Sequence, residues 1–472
     1  MTNVYQRYHA AAARMDALID MTPTPTDSSR EAVQARATER MSRLLTFLER
    51  IGSPHIGRPV VHVGGTSGKG STSTIVTSIL ASAGYRTGLH TSPYLQTPAE
   101  KLQVNGRLVS PATYADLVDE FFVAHDAWLA DGHPALTYGE GFNALMWMYF
   151  RHEDVDICVV EVGAGGRFDL TNILHPILCV ITSVGIDHTA TLGTTIAQIA
   201  WHKAGIIKAG VPAVSGVPDI EARGIIRAEA ELVGAPLLQL DLASGIEDVI
   251  TSPKGTYWTE TATGKTHSMR MAGSFQARNG QLAVEAVRAL RECGFEIREE
   301  AIRAGLQRAR IPGRAEIIDD TVPVVLDGAH NPEKLAAFAA DVPALLPETT
   351  GRRIVVSGLL DSKAGSDMIP SLLPITDVLI ATSPQVLAKD AKVAAAIEEY
   401  ARQAGYAGEV LLYPDPEEAV DVALRLAMPG EDAVIVTGSL YLVGNVRDRW
   451  YPEEAVLAGQ SPWPTRKEIL QR

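Results

Sequence analysis

The chain has 472 residues, 46% of them hydrophobic, with a formal net charge of −14 and a pI near 5.4. This length predicts two or three domains. The acidic balance argues against an extended nucleic-acid surface, which would show a basic face, but it leaves room for a locally positive cleft that binds a small anion. No signal-peptide pattern and no apolar run of 18 residues is present, so we expect no membrane partner and a cytoplasmic location.

The three cysteines, Cys158, Cys179 and Cys293, are too scattered for a disulfide framework or a zinc cluster. Each lies in apolar or helical surroundings. We therefore interpret all three as buried thiols.

Short apolar strands alternate with helical segments along most of the chain, which predicts an α/β fold with a mainly parallel sheet. The predicted strands lie at residues 59–63, 157–162, 177–182, 323–326, 353–357, 378–382 and 433–437. A Thr-, Ser- and Gly-rich segment at 246–271 interrupts the alternation and predicts a hairpin or meander. Pro312 and Gly313 break helical periodicity, so we predict an N-terminal domain at 1–311 and a C-terminal domain at 312–472.

The strongest local signal is VHVGGTSGKGST at residues 61–72, where a strand is followed by glycines, a lysine and hydroxyl residues. Glycine lets backbone N–H groups approach phosphate oxygens, and a helix N-terminus favours an anion. The predicted phosphate-binding residues are Gly65, Thr66, Ser67, Gly68, Lys69, Gly70 and Ser71, with Lys69 as the charge. The segment is not a strict Walker A motif, and a glycine-rich turn that only caps a helix is the alternative.

Three further side chains follow strands or lie in apolar surroundings. Glu161 ends a buried strand, where a carboxylate points into the crevice of an α/β fold and is a plausible magnesium ligand; an ion pair with Arg167 is the alternative. His188 follows the strand at 177–182 and is a candidate metal ligand. A purely structural role for the adjacent Asp-His pair is the alternative. Lys203 lies in an apolar helix, where a neutral amine could form a carbamate, or its head could simply reach solvent.

The order of these motifs resembles that of the folylpolyglutamate synthase/dihydrofolate synthase family of the Mur ligase superfamily, from about residue 40 to residue 447. The segments that carry the resemblance are GTSGKGS (65–71), TSPYL (91–95), EVGAGGRFDLTN (161–172), SVGIDHTATLG (183–193), AWHKAGI (200–206), FQARN (275–279), PGR (312–314), DGAHNP (327–332) and GSLYLVGNVR (438–447). The resemblance implies a phosphate-loop ATPase domain of the Mur ligase type, followed by a Rossmann-like C-terminal domain.

The resemblance also implies a role for individual residues. Ser92, Glu161 and His188 would bind two magnesium ions together with Lys203, which would be carbamylated. Asn279 and Arg314 would contact the nucleotide, and Asp327 and His330 would close on ATP as the domains come together. Lys69, Lys203, His188 and Arg314 would be the catalytic group.

The chain departs from the family pattern at Ser67, Tyr94 and Phe275, where asparagine, histidine and histidine are usual. The segments at 138–143 and 383–390 follow the pattern only loosely. These changes concern the acceptor and amino-acid pockets more than the ATP and metal residues.

The expected activity is an ATP-dependent ligation of L-glutamate to a folate-type carboxylate, dihydropteroate or folate, through an acyl phosphate. We expect a monomer that uses ATP and magnesium. The alternatives are a related amide ligase with a different acid acceptor, a phosphate-loop ATPase switch and a catalytically inactive binding module. The second α/β segment argues against a switch, and the presence of Lys69, Glu161, His188 and Lys203 argues against an inactive module.

Overall fold

A computed structural model of the chain describes residues 4–19, 29–387 and 389–470. The helices are α1 (Val4–Asp16), α2 (Arg30–Arg50), α3 (Lys69–Ser82), α4 (Pro111–Ala130), α5 (Tyr138–His152), α6 (Thr189–Leu192), α7 (Ile196–Ala204), α8 (Ile220–Val233), α9 (Phe275–Glu292), α10 (Glu299–Arg308), α11 (Pro332–Leu345), α12 (Gly365–Met368), α13 (Ala394–Gln403), α14 (Pro416–Leu426), α15 (Leu440–Arg447), α16 (Glu453–Gly459) and α17 (Arg466–Leu470). Short 3₁₀ helices occur at Pro98–Lys101, Leu170–Ile173, Ile369–Ser371 and Leu373–Ile375.

The strands are β1 (Val60–Gly64), β2 (Thr87–His90), β3 (Gln103–Val104), β4 (Arg107–Leu108), β5 (Ile157–Glu161), β6 (Leu178–Ile181), β7 (Ala213–Ser215), β8 (Leu237–Gln239), β9 (Ile246–Ser252), β10 (Gly255–Glu260), β11 (Lys265–Met269), β12 (Glu316–Ile318), β13 (Val324–Asp327), β14 (Arg353–Ser357), β15 (Val378–Ala381), β16 (Glu409–Leu412) and β17 (Ala433–Thr437).

The described residues form two compact units, each made of separate stretches of chain. The first comprises residues 1–246, 278–309 and 454–472, as far as they are described, and the second comprises 247–277 and 310–453. The sequence predicts a single cut between residues 311 and 312. That boundary stays a prediction, and the compact units place residues 247–277 in the second unit and the described residues from 454 onward in the first.

The first unit is built on a sheet with the strand order β4-β3-β2-β5-β1-β6-β7-β8. From β2 to β8 the pairs are parallel, and β3 and β4 add an antiparallel edge. The central strands β1 and β5 are buried along their whole length, as their β-branched runs predict for a sheet covered on both faces. The carboxyl ends of β1, β2, β5 and β6 therefore meet at one edge of this sheet.

The second unit has a sheet of order β12-β13-β17-β14-β15-β16, in which only the β12–β13 pair is antiparallel. The meander β9 to β11 forms a separate three-stranded sheet. A core of buried apolar side chains from α11, α13 and the parallel strands includes Phe338, Val355, Leu379 and Ile435. This arrangement confirms the predicted α/β class and the predicted meander.

The prediction for the cysteines is correct at two positions and wrong at the third. Cys158 and Cys179 are buried, and burial raises the pKa of each thiol to about 12. Cys293 is exposed. It follows the last residue of α9, where the chain turns away through Gly294, so its apolar sequence neighbours do not cover it. No helix in the described part of the chain is long and apolar enough to span a membrane.

Candidate active site

The glycine-rich segment forms a loop between β1 and α3. Gly68 precedes the helix with φ of 84°, a left-handed conformation that suits glycine, and Lys69 is the first helical residue. The first helical hydrogen bond runs from the N–H of Thr72 to the carbonyl of Gly68. The N–H groups of Lys69, Gly70 and Ser71 therefore lie in a first turn that offers them no intrahelical acceptor, which is the usual construction of a phosphate site.

The loop is held in place by the segment that follows β6. The N–H of Thr66 donates to the carbonyl of Ser183 at 2.9 Å, and the N–H of Ser67 donates to the hydroxyl of Ser183 at 2.8 Å. The hydroxyl of Thr182 donates to the carbonyl of Ser67 at 2.6 Å. A β-carbon on Gly65 would lie 1.9 Å from the Oγ1 atom of Thr182, so only glycine fits there. Sequence reasoning missed the part played by Thr182 and Ser183, although parallel strand ends share one sheet edge.

Asn279, in the first turns of α9, lies directly against the phosphate loop. A β-carbon on Gly68 would be 2.3 Å from the Oδ1 atom of Asn279. The structure thus brings Asn279 to the loop residues with which the sequence motifs group it.

Ser92 and Glu161 are also brought together. The N–H of Ser92 donates to the Oε2 atom of Glu161 at 3.1 Å, and Glu161 is buried at the end of β5. Farther along the same loop, the buried carboxylate of Glu100 accepts the N–H groups of Leu95, Gln96 and Thr97 at 2.9 to 3.2 Å. Glu100 was not predicted as a site residue. Its position three residues after Thr97, the pattern of a capping box, was the available signal.

The loop that follows Glu161 contacts the elements carrying Lys203 and His188. A β-carbon on Gly166 would lie 3.2 Å from the Cα atom of Lys203, which is buried in the last turn of α7. A β-carbon on Gly165 would lie 2.7 Å from Leu192, the last residue of the short helix α6 that His188 precedes. His188 itself is exposed, with φ of 51°. Ser92, Glu161 and Lys203 therefore lie on elements that contact one another, whereas His188 is linked to this loop only through Leu192 of the same short helix. Their role as metal ligands stays a prediction.

The donor atoms of this region suit magnesium. Glu161 and Ser92 offer a carboxylate and a hydroxyl, which are hard oxygen ligands. Within the described ranges no cluster of three or more His, Cys, Asp or Glu side chains forms a ready-made cation site.

The second unit brings together Arg314, Asp327 and His330. A β-carbon on Gly328 would lie 2.7 Å from the Nη1 atom of Arg314. The buried carboxylate of Asp327 accepts the N–H groups of Ala315 and Ala329 at 2.8 Å each. Burial raises the pKa of Asp327, against the opposing effect of Arg314. This carboxylate therefore acts as a buried anchor for the loops before β12 and after β13.

His330 lies close to two lysine side chains, Lys334 and Lys363. Its Nε2 atom lies 3.0 Å from the Nζ atom of Lys334, and its Nδ1 atom lies 2.8 Å from the carbonyl of Gly328. Burial, and then the charges of Lys334 and Lys363, lower the pKa of His330 well below its usual value. The imidazole is consequently neutral at physiological pH.

Comparison with known proteins agrees with this geometry. Residues 313–440 match the family described as Mur ligase, glutamate ligase domain. The dihydrofolate synthase/folylpolyglutamate synthase of Bacillus subtilis is 34% identical over 418 residues, covering 87% of this chain and 94% of the relative.

Two solved structures extend the likeness to the fold. A Mycobacterium tuberculosis folylpolyglutamate synthase complexed with ADP and AMPPCP aligns with a TM-score of 0.80 at 27% identity, over 94% of this chain and 98% of that one. Escherichia coli FolC in complex with DHPP and ADP aligns with a TM-score of 0.76 at 27% identity, over 93% and 97% of the two chains.

The α/β fold, the phosphate loop and the glutamate ligase domain define an ATP-dependent acid–amino-acid ligase of the Mur type. The 34% identity to the Bacillus subtilis relative, over most of both chains, identifies the family within this class. The chain belongs to the folylpolyglutamate synthase/dihydrofolate synthase family.

Proposed function

We propose that this ligase joins the amino group of L-glutamate to a carboxylate of a folate-type acceptor, either dihydropteroate or a folate that already carries glutamate. The observation that carries the proposal is the hydrogen bond from the backbone N–H of Ser92 to the carboxylate of Glu161, which joins these two residues at the same sheet edge as the phosphate loop. Family membership and the DHPP-bound Escherichia coli relative support the choice of acceptor.

A carboxylate is a poor electrophile, so the acceptor must first be activated. In the proposed sequence the acceptor carboxylate takes the γ-phosphoryl group of ATP, and ADP leaves. The glutamate amine then attacks the acyl carbon, and phosphate leaves. Lys69 and the free N–H groups of the first turn of α3 bind and orient the phosphates, which is the electrostatic stabilisation that phosphoryl transfer requires.

Ser92, Glu161, His188 and Lys203 are the proposed residues for two magnesium ions. Bound magnesium would neutralise charge that develops on the transferred phosphoryl group. An ammonium group cannot bind a cation, so Lys203, which is only 2% exposed, would take part as a carbamate formed with carbon dioxide.

Asn279 is the proposed nucleotide contact beside Gly68, and Arg314, Asp327 and His330 are proposed to act on the nucleotide as well. Arg314 supplies positive charge and the neutral imidazole of His330 supplies a hydrogen-bond donor or acceptor. A monomeric state, a cytoplasmic location and the absence of nucleic-acid and membrane partners stay predictions from the sequence.

One assay tests the proposal. Purified protein is given ATP and magnesium, and ADP release is measured with glutamate alone, with acceptor alone and with both. We expect ADP release only with both, and a product heavier by one glutamate residue. Dihydropteroate, tetrahydrofolate and unrelated carboxylic acids are supplied in turn. Turnover only with an unrelated acid would mean that the enzyme uses a different acceptor from the one proposed. ATP hydrolysis without any acceptor would indicate an ATPase switch.

A further inference from the structure

Arg167 and Glu229 form an ion pair beside the helix that carries Lys203. The Nη2 atom of Arg167 lies 2.7 Å from the Oε2 atom of Glu229, and the two side chains are only 24% and 11% exposed. The guanidinium also stacks on Trp201, 4.2 Å from its ring centroid. Glu229 belongs to α8 and Arg167 to the loop after β5, so the pair ties two separate elements together.

Arg167 also closes the carboxyl end of α7. Its N–H donates to the carbonyl of His202 at 2.7 Å, and its Nη2 atom donates to the carbonyl of Trp201 at 3.3 Å. Carbonyls in the last turn of a helix lack intrahelical donors, and a cation is favoured there by the helix dipole. Lys203 is the next residue, so Arg167 holds the turn from which the Lys203 side chain projects.

This loop and the end of α7 are packed so closely that no side chain larger than a hydrogen atom fits between them at Gly205 or Gly166. A β-carbon on Gly205 would lie 2.4 Å from the Cβ atom of Arg167, and one on Gly166 would lie 2.7 Å from the carbonyl oxygen of His202. Asn172 adds hydrogen bonds to the carbonyls of Arg167 and Gly205 at 2.9 and 3.1 Å. The loop and the end of the helix are therefore closely packed and hydrogen-bonded to each other.

We propose that Arg167 and Glu229 are a positioning pair that sets the spacing between Glu161 and Lys203, and through it the affinity of the site for a divalent cation. The inference rests on the proposed function, because it takes Glu161 and Lys203 as metal ligands. Arg167 lies in the loop that follows Glu161 at the end of β5, and it is hydrogen-bonded to the helix of Lys203, so it connects the two elements that carry these ligands. Glu229 holds the guanidinium through the ion pair.

The test uses Glu229→Gln and Arg167→Lys in the full chain. Glu229→Gln keeps volume and removes the charge, whereas Arg167→Lys keeps the charge and removes the fork that reaches Trp201 and Glu229. The control is Glu285→Gln, which removes the charge from a pair of similar geometry, Arg288–Glu285, at 2.6 Å and 22% and 16% exposure. Bound Mn²⁺ is measured by electron paramagnetic resonance in the presence of ADP, alongside the Mg²⁺ concentration for half-maximal activity and the thermal unfolding midpoint.

We expect both site variants to weaken Mn²⁺ binding and to raise the Mg²⁺ requirement about 10-fold, as loss of a residue that orients a metal ligand does. High Mg²⁺ should restore kcat, and Glu285→Gln should leave both quantities unchanged. If the folded variants bind Mn²⁺ and require Mg²⁺ as the wild type does, the proposed function is unaffected but the proposal of a positioning pair is wrong. A lowered unfolding midpoint without a metal effect would overturn it too. Absence of Mn²⁺ binding in the wild type would remove the proposed metal site and this inference together.

Discussion

Asn279 reaches the phosphate loop so closely that a β-carbon on Gly68 would lie 2.3 Å from its Oδ1 atom. Gly68 also has φ of 84°. The two constraints act on the same glycine but have different consequences, since the conformation concerns stability and the contact concerns the shape of the nucleotide site.

Gly57 allows these consequences to be separated. It has φ of 80° with nothing within 4 Å of an added β-carbon. We expect Gly57→Ala and Gly68→Ala each to lose about 1 kcal/mol of stability from the left-handed conformation. Only Gly68→Ala should raise the KM for ATP, by roughly 10- to 100-fold, because it displaces the loop or Asn279. Steady-state kinetics measures the KM for ATP, and thermal unfolding measures the stability of each variant. Equal KM values in the two variants would contradict the proposal that the contact between Gly68 and Asn279 shapes the nucleotide site.

A carbamate on Lys203 predicts a specific pattern of rescue. Lys203→Ala should lose activity by a factor of 100 or more, on the order of what a catalytic metal ligand contributes. Lys203→Arg should not restore it, since a guanidinium does not form a carbamate. Short carboxylic acids added to Lys203→Ala should recover part of the rate by supplying oxygen ligands. Full activity in Lys203→Ala would remove the carbamate from the mechanism.

A buried ion pair in the second unit predicts a large effect on stability. Arg447 is fully buried and donates to both carboxylate oxygens of Glu316 at 2.9 and 2.7 Å, and the N–H of Gly313 donates to the same carboxylate at 2.8 Å. Arg447→Met leaves that carboxylate buried without its counter-ion, which should cost about 3–5 kcal/mol.

The control for Arg447→Met is Arg303→Met, which removes an exposed pair with Glu300 at 3.4 Å and should cost well under 1 kcal/mol. Urea unfolding of both variants decides the matter. A loss for Arg447→Met no larger than that of the control would mean that the pair contributes little.

Lys101 predicts a pH dependence of stability in the first unit. Its ammonium lies 3.6 Å from the ring centroid of Phe142, and burial lowers its pKa to about 7, although Asp16 acts in the opposite sense. Between about pH 7 and pH 10 the unfolded chain binds a proton at Lys101 that the folded chain does not. This residue therefore makes stability rise with pH through that window, and its contribution is lost as pH falls through 7.

The measurement compares wild type with Lys101→Met by urea unfolding at pH about 7, 8 and 9. The difference between their unfolding free energies should change by up to about 1.4 kcal/mol per pH unit in favour of the wild type as pH rises. Lys254→Met, the same substitution at an exposed lysine, is measured alongside as the control. Parallel curves for wild type and Lys101→Met would mean that Lys101 does not titrate in this range.

Local chemistry made much of this architecture predictable. Continuous apolar runs such as 157–162 appear as buried strands, and the carboxylate of Glu161 lies at the strand end where the pattern places it. Contacts between distant segments have no such local signature. The hydrogen bonds from the loop to Ser183, the ion pair of Arg167 with Glu229 and the three N–H groups held by Glu100 depend on which elements pack together. Cys293 shows the same limit, because burial depends on the path of the chain beyond the helix.

Each compact unit is built from stretches that are not consecutive in the chain, and this constrains the order in which the units can fold during synthesis. The chain passes between the units after residues 246, 277, 309 and 453, and the final stretch pairs with the antiparallel edge of the first sheet, where the N–H of Leu108 donates to the carbonyl of Gln460. During synthesis the first unit can therefore form all these contacts only after the segment around Gln460 has been made, whereas the second unit needs nothing beyond residue 453.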